Sequence, residues 1–280
     1  METDIFLLVI FASILHASWN GMVKKFKDKI VSVSAIVYGH VPIAILVMFF
    51  VPLPTLESLP YIILSAVIHQ GYQWYLISAY KFGNLTKAYP IARGTGPVVA
   101  TIISILFLGV LISNFKIFSI LLICCGIFGL GILGENLLKN KKVLFYSIAT
   151  GVFIGLYSLV DGYGARISLS PLSFLGWSFT LNAILFTLIL KYNNHKNILG
   201  KTLRKAKNIF WLGGTLSYLV YAIVVWCFTK APIPLVAALR ETSIVFSVII
   251  GILFLKEKVS IYKIVSISLI FIGAITLKAF

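Results

Sequence analysis

The chain has 280 residues, of which 60% are hydrophobic and 11% charged, and its mean hydropathy is +1.02. Soluble globular domains carry about 25% charged residues, so the composition excludes one and points to a polytopic membrane protein. The net charge of +16 would suggest nucleic acid in a soluble protein, but here most basic residues fall in joints between apolar runs. No nucleic-acid motif accompanies them, and no nucleic-acid partner is expected.

A helix needs roughly 20 mostly apolar residues to cross the hydrocarbon core. Apolar runs between charged or Pro/Gly-marked joints predict ten helices, at 5–23, 31–50, 60–80, 88–109, 115–133, 144–163, 172–190, 209–229, 234–255 and 260–279. The segment Met1-Glu2-Thr3-Asp4 lacks basic residues, so the first run is expected to be a retained helix and not a cleaved signal peptide. Cys124, Cys125 and Cys227 lie within apolar segments without metal-ligand spacing and read as small packing residues.

The first helix closes with His16, Trp19 and Asn20 at spacing i, i+3, i+4, one polar-aromatic face on an otherwise apolar helix. The third carries a comparable stripe of His69, Tyr72, Gln73 and Trp74. Each such residue can be a satisfied core group, but several converging on one cavity form what a small-molecule site needs, a few polar groups among aromatics.

The fourth helix holds Tyr89, Pro90, Arg93 and Pro97. Both prolines remove backbone hydrogen bonds from its interior, and interrupted backbone at membrane depth is tolerated where it is buried in protein or lines water. Pro232 and Pro234 do something similar at the start of the ninth helix. Arg93 and Arg240 lie inside their helices, where a charge costs a few kcal/mol on insertion scales and is functional by default. Snorkelling, or bonding to backbone carbonyls, is the structural alternative.

Glu241 follows Arg240, but neighbouring helical positions point about 100° apart, so adjacency alone does not pair the two. Glu241 reads as a counter-ion to an arginine on another helix, with a proton or cation site as the alternative. In the sixth helix, Asp161 lies near the expected end and reads as a cap or a partner of Arg166, with proton coupling as the alternative. Gly151 and Gly155 form a G-x-x-x-G pair suited to close helix contact.

An internal duplication organises the whole. Residues 93–126 align without a gap on residues 240–273, with 17 of 34 positions identical, among them Arg93/Arg240, Ser113/Ser260, Lys116/Lys263 and Gly126/Gly273. The repeat unit is therefore five helices, residues 1–136 and 143–280, joined by a linker at Lys139-Asn140-Lys141-Lys142. Five is odd, so the second unit enters from the opposite side and the repeats are inverted, an architecture found in secondary transporters.

Of the 24 basic residues, 18 lie at one end of the helices, while Lys116, Arg166, Lys230 and Lys278 lie at the other. By the positive-inside rule the basic loops are cytoplasmic and both termini outside, in a multi-pass protein of the plasma (inner) membrane. The segments Lys24 to Lys29 and Lys191 to Lys207 read as topology determinants near anionic lipid headgroups, with docking patches for acidic lipid or nucleic acid as the alternative. Inversion then places Arg93 toward the cytoplasmic side and Arg240 toward the outside, one basic group near each mouth of a central cavity.

These residues resemble the ten-helix EamA-type members of the drug/metabolite transporter superfamily. The resemblance is carried by His16-Ala17-Ser18-Trp19-Asn20 with Lys24, Tyr89-Pro90-Ile91-Ala92-Arg93 with Pro97, Tyr157 with Asp161-Gly162 and Arg166, and Leu239-Arg240-Glu241 with Lys256-Glu257-Lys258. It implies an all-α bundle of two inverted five-helix EamA-like halves, alternating access, and a cavity lined mainly by the first, third, fourth, sixth, eighth and ninth helices. The related four-helix multidrug exporters use an acid in the middle of the first helix, where this chain has His16. That departure speaks against proton-coupled export of lipophilic cations.

The expected function is secondary transport of a small anionic or zwitterionic metabolite, such as an amino acid. The alternatives are a drug or cation exporter and, in another class, a non-transporting scaffold or sensor. The expected substrate-binding residues are Arg93, Arg240, Glu241, Tyr89, His16, Trp19, Asn20, Trp74, Gln73, Tyr157, Asp161 and Tyr221. No nucleophile-base pair, phosphate loop or zinc spacing is present, so neither an enzyme nor a cofactor or metal is expected. The expected partners are the solute and membrane lipid, with a homodimer left open.

Overall fold

The computed structural model describes residues 1–26, 28–83, 85–132, 140–195, 197–255 and 260–279. Lys139 of the expected linker and the Lys256-Glu257-Lys258 motif lie outside the described residues. The described chain is helical with no strand. Its helices are α1 (Thr3–Lys25), α2 (Lys29–Met48), α3 (Leu59–Phe82), α4 (Leu85–Leu106), α5 (Asn114–Ile132), α6 (Lys141–Ile167), α7 (Pro171–Tyr192), α8 (Ile198–Lys205), α9 (Gly214–Lys230), α10 (Ile233–Arg240), α11 (Ser243–Leu255) and α12 (Ile261–Ala279). A 3₁₀ turn at Leu56–Ser58 leads into α3, and a π-turn at Ile209–Gly213 leads into α9.

Local chemistry sets several starts. The Asp28 carboxylate accepts from the Val31 amide at 3.1 Å and Asn140 Oδ1 accepts from the Val143 amide at 3.3 Å, each capping a helix whose first amides have no intrahelical partner. Proline at the first turn opens α3 and α7, where a missing N–H costs nothing.

Among the described residues, nine segments are long and apolar enough to cross a membrane. The expected third helix is present as the 24-residue α3, yet it does not belong to that set, because His69, Gln70 and Gln73 dilute its apolar side chains. A helix this polar is stable in a bilayer only if its polar face is turned to protein or water, and His69, Gln70 and Gln73 are all buried. Large apolar side chains such as Phe11, Leu46, Ile63, Leu121, Phe145 and Ile275 remain exposed on the outside of the bundle, as lipid contact requires.

The chain alternates direction, so the bundle has two ends. Asn140 Nδ2 donates to the Phe82 carbonyl at the end carrying most of the basic joints. At the other, Thr55 Oγ1 donates to the Ile167 carbonyl and the Lys278 ammonium to the Met1 carbonyl and Thr3 hydroxyl. We call these the basic end and the far end.

The duplicated helices α5 and α12 pack on each other more extensively than any other pair, and the contact is reciprocal. A Cβ at Gly126 would sit 2.6 Å from the Ser266 carbonyl and 2.7 Å from Ile270, and one at Gly273 would sit 2.8 Å from the Ser119 carbonyl and from Ile123. Ser266, Ile270 and Gly273 are the repeat equivalents of Ser119, Ile123 and Gly126. On the facing pair α4 and α6, Gly151 and Gly155 meet the Ala92 and Gly96 carbonyls, as the G-x-x-x-G spacing predicts.

The expected backbone break falls elsewhere. Despite Pro90 and Pro97, α4 is continuous, whereas the ninth expected helix divides into α10 and α11 at Glu241-Thr242. There the amides of Glu241, Thr242 and Ile244 bond three residues back, to Ala238, Leu239 and Glu241, tightening the turn. The Leu239 carbonyl is also bonded by the Thr242 hydroxyl at 2.8 Å, and the Arg240 carbonyl by Ser13 of α1 at 3.1 Å. These hydroxyls satisfy backbone oxygens that the interruption takes out of the regular helical pattern.

Candidate functional site

A central cavity of about 130 Å³ opens in the half of the bundle nearer the basic end. The second half of α1, the middle and second half of α3, the first halves of α2, α4 and α9, the middles of α6 and α7, and Arg240 at the end of α10 surround it. Nine of the expected site residues line it: His16, Trp19, Asn20, Gln73, Tyr89, Arg93, Tyr157, Tyr221 and Arg240. Trp74 does not. One residue beyond Gln73 and about 100° around α3, it packs near Phe186, with ring centroids 6.4 Å apart. Asp161 and Glu241 lie behind the wall and act on it through neighbours.

The walls are aromatic and ordered by ring contacts. His69 stacks on Tyr157 at 4.3 Å, Phe179 on Tyr221 at 5.6 Å and His40 on Phe179 at 4.6 Å. His16 Nε2 lies 3.1 Å from the Tyr89 hydroxyl, and the Arg93 guanidinium sits 5.6 Å from the Tyr89 ring centroid. Polar groups break this surface at a few points. Gln73 Nε2 donates to Asn182 Oδ1 at 3.2 Å and Gln70 Nε2 to the same oxygen at 2.7 Å. The Trp19 indole N–H, Gln73 Oε1 and both His40 nitrogens have no hydrogen-bond partner among the described residues, so a bound solute has donors and acceptors to meet.

The floor of the cavity is a three-residue charge cluster. Glu241 Oε2 lies 2.5 Å from Arg93 Nε, in ion-pair contact without hydrogen-bond alignment, while Oε1 lies 3.3 Å from Arg240 Nη2. Arg93 Nη2 also donates to the Ser243 hydroxyl at 3.3 Å. All three charged residues are buried, Glu241 completely.

One expectation is corrected here. Arg93 and Arg240 do not stand at separate mouths: both reach one carboxylate. Arg240 and Glu241, which adjacency on a helix does not by itself pair, meet at the tight turn between α10 and α11. The cluster contains two cations and one anion, which leaves one positive charge facing the cavity.

Asp161 is also fully buried, in different company. Its Oδ2 accepts from the Tyr221 hydroxyl at 2.5 Å and lies 3.8 Å from His69 Nε2, and its Oδ1 has no partner. His69 Nδ1 donates to the Ser65 carbonyl at 2.9 Å, which turns Nε2 toward the carboxylate. Asp161 neither caps α6 nor pairs with Arg166, because α6 continues to Ile167. Arg166 instead bonds the Phe228 and Ala231 carbonyls at 3.0 and 2.9 Å.

His40, Phe179 and Asn182 were not singled out from the sequence. Each is isolated on its helix, without the spacing that exposed the stripes of α1 and α3. The weak signal available was a single histidine and a single amide in otherwise apolar spans.

Apolar helices enclosing a polar, aromatic-lined cavity define an integral, multi-pass membrane protein. Residues 141–278 match the EamA-like transporter family, which belongs to the drug/metabolite transporter superfamily. No curated protein matches the sequence. A solved structure described only as a protein crystal structure superposes with a TM-score of 0.74 over 99% of both chains at 14% identity, a likeness of fold alone.

Proposed function

We propose that the protein is a secondary transporter that carries a small anionic or zwitterionic metabolite, such as an amino acid, across the plasma membrane by alternating access. The observation that carries this reading is the Arg93–Glu241–Arg240 cluster, whose unbalanced positive charge sits at the floor of a buried cavity. A solute carboxylate or phosphate placed there gains charge-assisted hydrogen bonds in a setting where such bonds are strong. The tyrosine faces and the Asp161–Tyr221 pair at the cavity wall suit an ammonium group, so one zwitterion can use both ends.

In this reading α3 is a tenth span, and the two halves are inverted five-helix repeats. The reciprocal contact of Gly126 and Gly273 supports the inversion, since a two-fold relation makes each residue meet its partner's equivalents. With the basic end cytoplasmic, the central cavity lies nearer the cytoplasm and the charge cluster stands between it and the outside. The test is flux in proteoliposomes for Arg93→Ala and Arg240→Ala. Both are expected to lose transport, and wild-type rates in both, with intact folding, would remove the arginines from the mechanism.

The aromatic walls and buried Asp161 also favour a second reading, a cation or drug exporter. That reading requires expression to confer resistance on cells lacking efflux pumps and Glu241→Gln to abolish it.

A further inference from the structure

A second cavity, of about 260 Å³, lies at the far end, where α4, α6 and α9 finish and α10 begins. Its wall includes Ser104, Tyr163, Arg166, Lys230 and Pro232, and among the described residues no carboxylate lines it. Arg166 spends two of its five donors on the carbonyls that close α9, and Lys230 stands 5.7 Å from the Trp226 ring. The N-terminus of α10 also borders the cavity, and no side chain caps it. A helix N-terminus carries partial positive charge, which favours an anion; here Pro234 has no N–H and the Leu235 amide bonds the Pro232 carbonyl, which leaves the Ile233 amide to meet one. Ser104, although fully buried, has a hydroxyl with no hydrogen-bond partner among the described residues.

We propose that this cavity is a second anion site, which takes the carboxylate or phosphate group of a small soluble solute at the end of the bundle opposite the central cavity. The juxtaposition that carries it is two cations, an uncapped helix start and an unpartnered buried hydroxyl around one hollow without an acid. Helix α10 connects this site to the charge cluster: it begins at Ile233 beside the cavity and ends at Arg240, roughly 10 Å away at 1.5 Å per residue. Its role as a waiting site for the transported solute rests on the proposed transport function. The binding itself does not.

The experiment uses the whole protein in nanodiscs of phosphatidylcholine and follows thermal unfolding against sodium phosphate and sodium acetate at constant ionic strength. Lys230→Gln, on an exposed side chain, is expected to weaken apparent phosphate affinity about tenfold, the scale of one charge-assisted contact. Ser104→Ala is expected to weaken it about threefold, and Lys205→Gln, at the basic end, to leave it unchanged.

Wild-type affinity in both Lys230→Gln and Ser104→Ala overturns the proposal. So does a protein that ignores soluble phosphate but is stabilised, through Lys230, by phosphatidylglycerol in the disc, because the hollow would then seat a lipid headgroup. Weakened phosphate binding without flux of any solute would defeat the transport reading and leave the site standing.

Discussion

Glu241, at the turn between α10 and α11, is the counter-ion of Arg93 in α4, with Oε2 and Nε 2.5 Å apart. Its other oxygen faces Arg240 at 3.3 Å, so one carboxylate separates two buried guanidiniums. Glu241→Gln leaves those cations facing each other, a loss of about 3–5 kcal/mol for a broken buried pair. Adding Arg93→Met should recover part of it, because the uncompensated charge goes too. Unfolding in detergent of the single and double variants checks this, and strict additivity would show that the pair is not coupled.

The α5–α12 contact makes an equally direct demand. Gly126→Ala and Gly273→Ala each push a methyl against a carbonyl of the facing helix, and each is expected to cost roughly 1–3 kcal/mol. A reciprocal contact requires similar losses. If thermal unfolding shows one substitution harmful and the other harmless, the two-fold relation between the halves fails.

Asp161 and Tyr221 are joined by a 2.5 Å hydrogen bond, and only Tyr221 reaches the cavity. The carboxylate therefore acts by holding the tyrosine hydroxyl. Tyr221→Phe and Asp161→Asn are expected to raise the solute KM by similar factors, and the double variant no further, as for groups that work as a unit. Independent, multiplying effects in flux assays would give Asp161 a role of its own.

Asn182 Oδ1 accepts from both Gln70 and Gln73. Asn182→Leu strands the buried Gln73 amide, a loss of about 1–3 kcal/mol, while Gln70 Nε2 keeps its 2.9 Å bond to the backbone carbonyl of residue 182. Gln73 is also released from its position in the wall. Lower stability together with a higher KM is the expected result, and unchanged values of both would show that Asn182 is not what positions Gln73.

Orientation can be read by labelling. In a background without Cys124, Cys125 and Cys227, cysteines placed at exposed Glu57 and at exposed Asn194 lie at the far and basic ends. An impermeant maleimide applied to intact cells is expected to label the first and not the second. The reverse pattern would invert the topology.

Much of this was legible in the sequence, for reasons that concern one helix at a time. Gln73 entered the cavity as its stripe with His69 predicted, while Trp74, the next residue, did not, since one position rotates a side chain by about 100°. Asp161 was misjudged because its helix runs on to Ile167, turning an expected helix end into an interior. His40 and Asn182 had no neighbours of their own kind to mark them. Their significance comes from Phe179 and from Gln70 and Gln73, which lie on other helices.

By itself the sequence determined the class of solvent, the apolar segments, the duplication and the uneven ends. In a bilayer every backbone polar group must be satisfied within its own segment, and that requirement can be read along the chain. Only the tertiary structure decided which polar residues meet. The turn at Glu241-Thr242 uses a hydroxyl from Ser13, 227 residues away in the chain, and whether Glu241 finds Arg93 depends on how α4 and α10 are rotated and crossed. Those angles are set by contacts such as Gly151 and Gly155 against α4, and no periodicity within one helix encodes them.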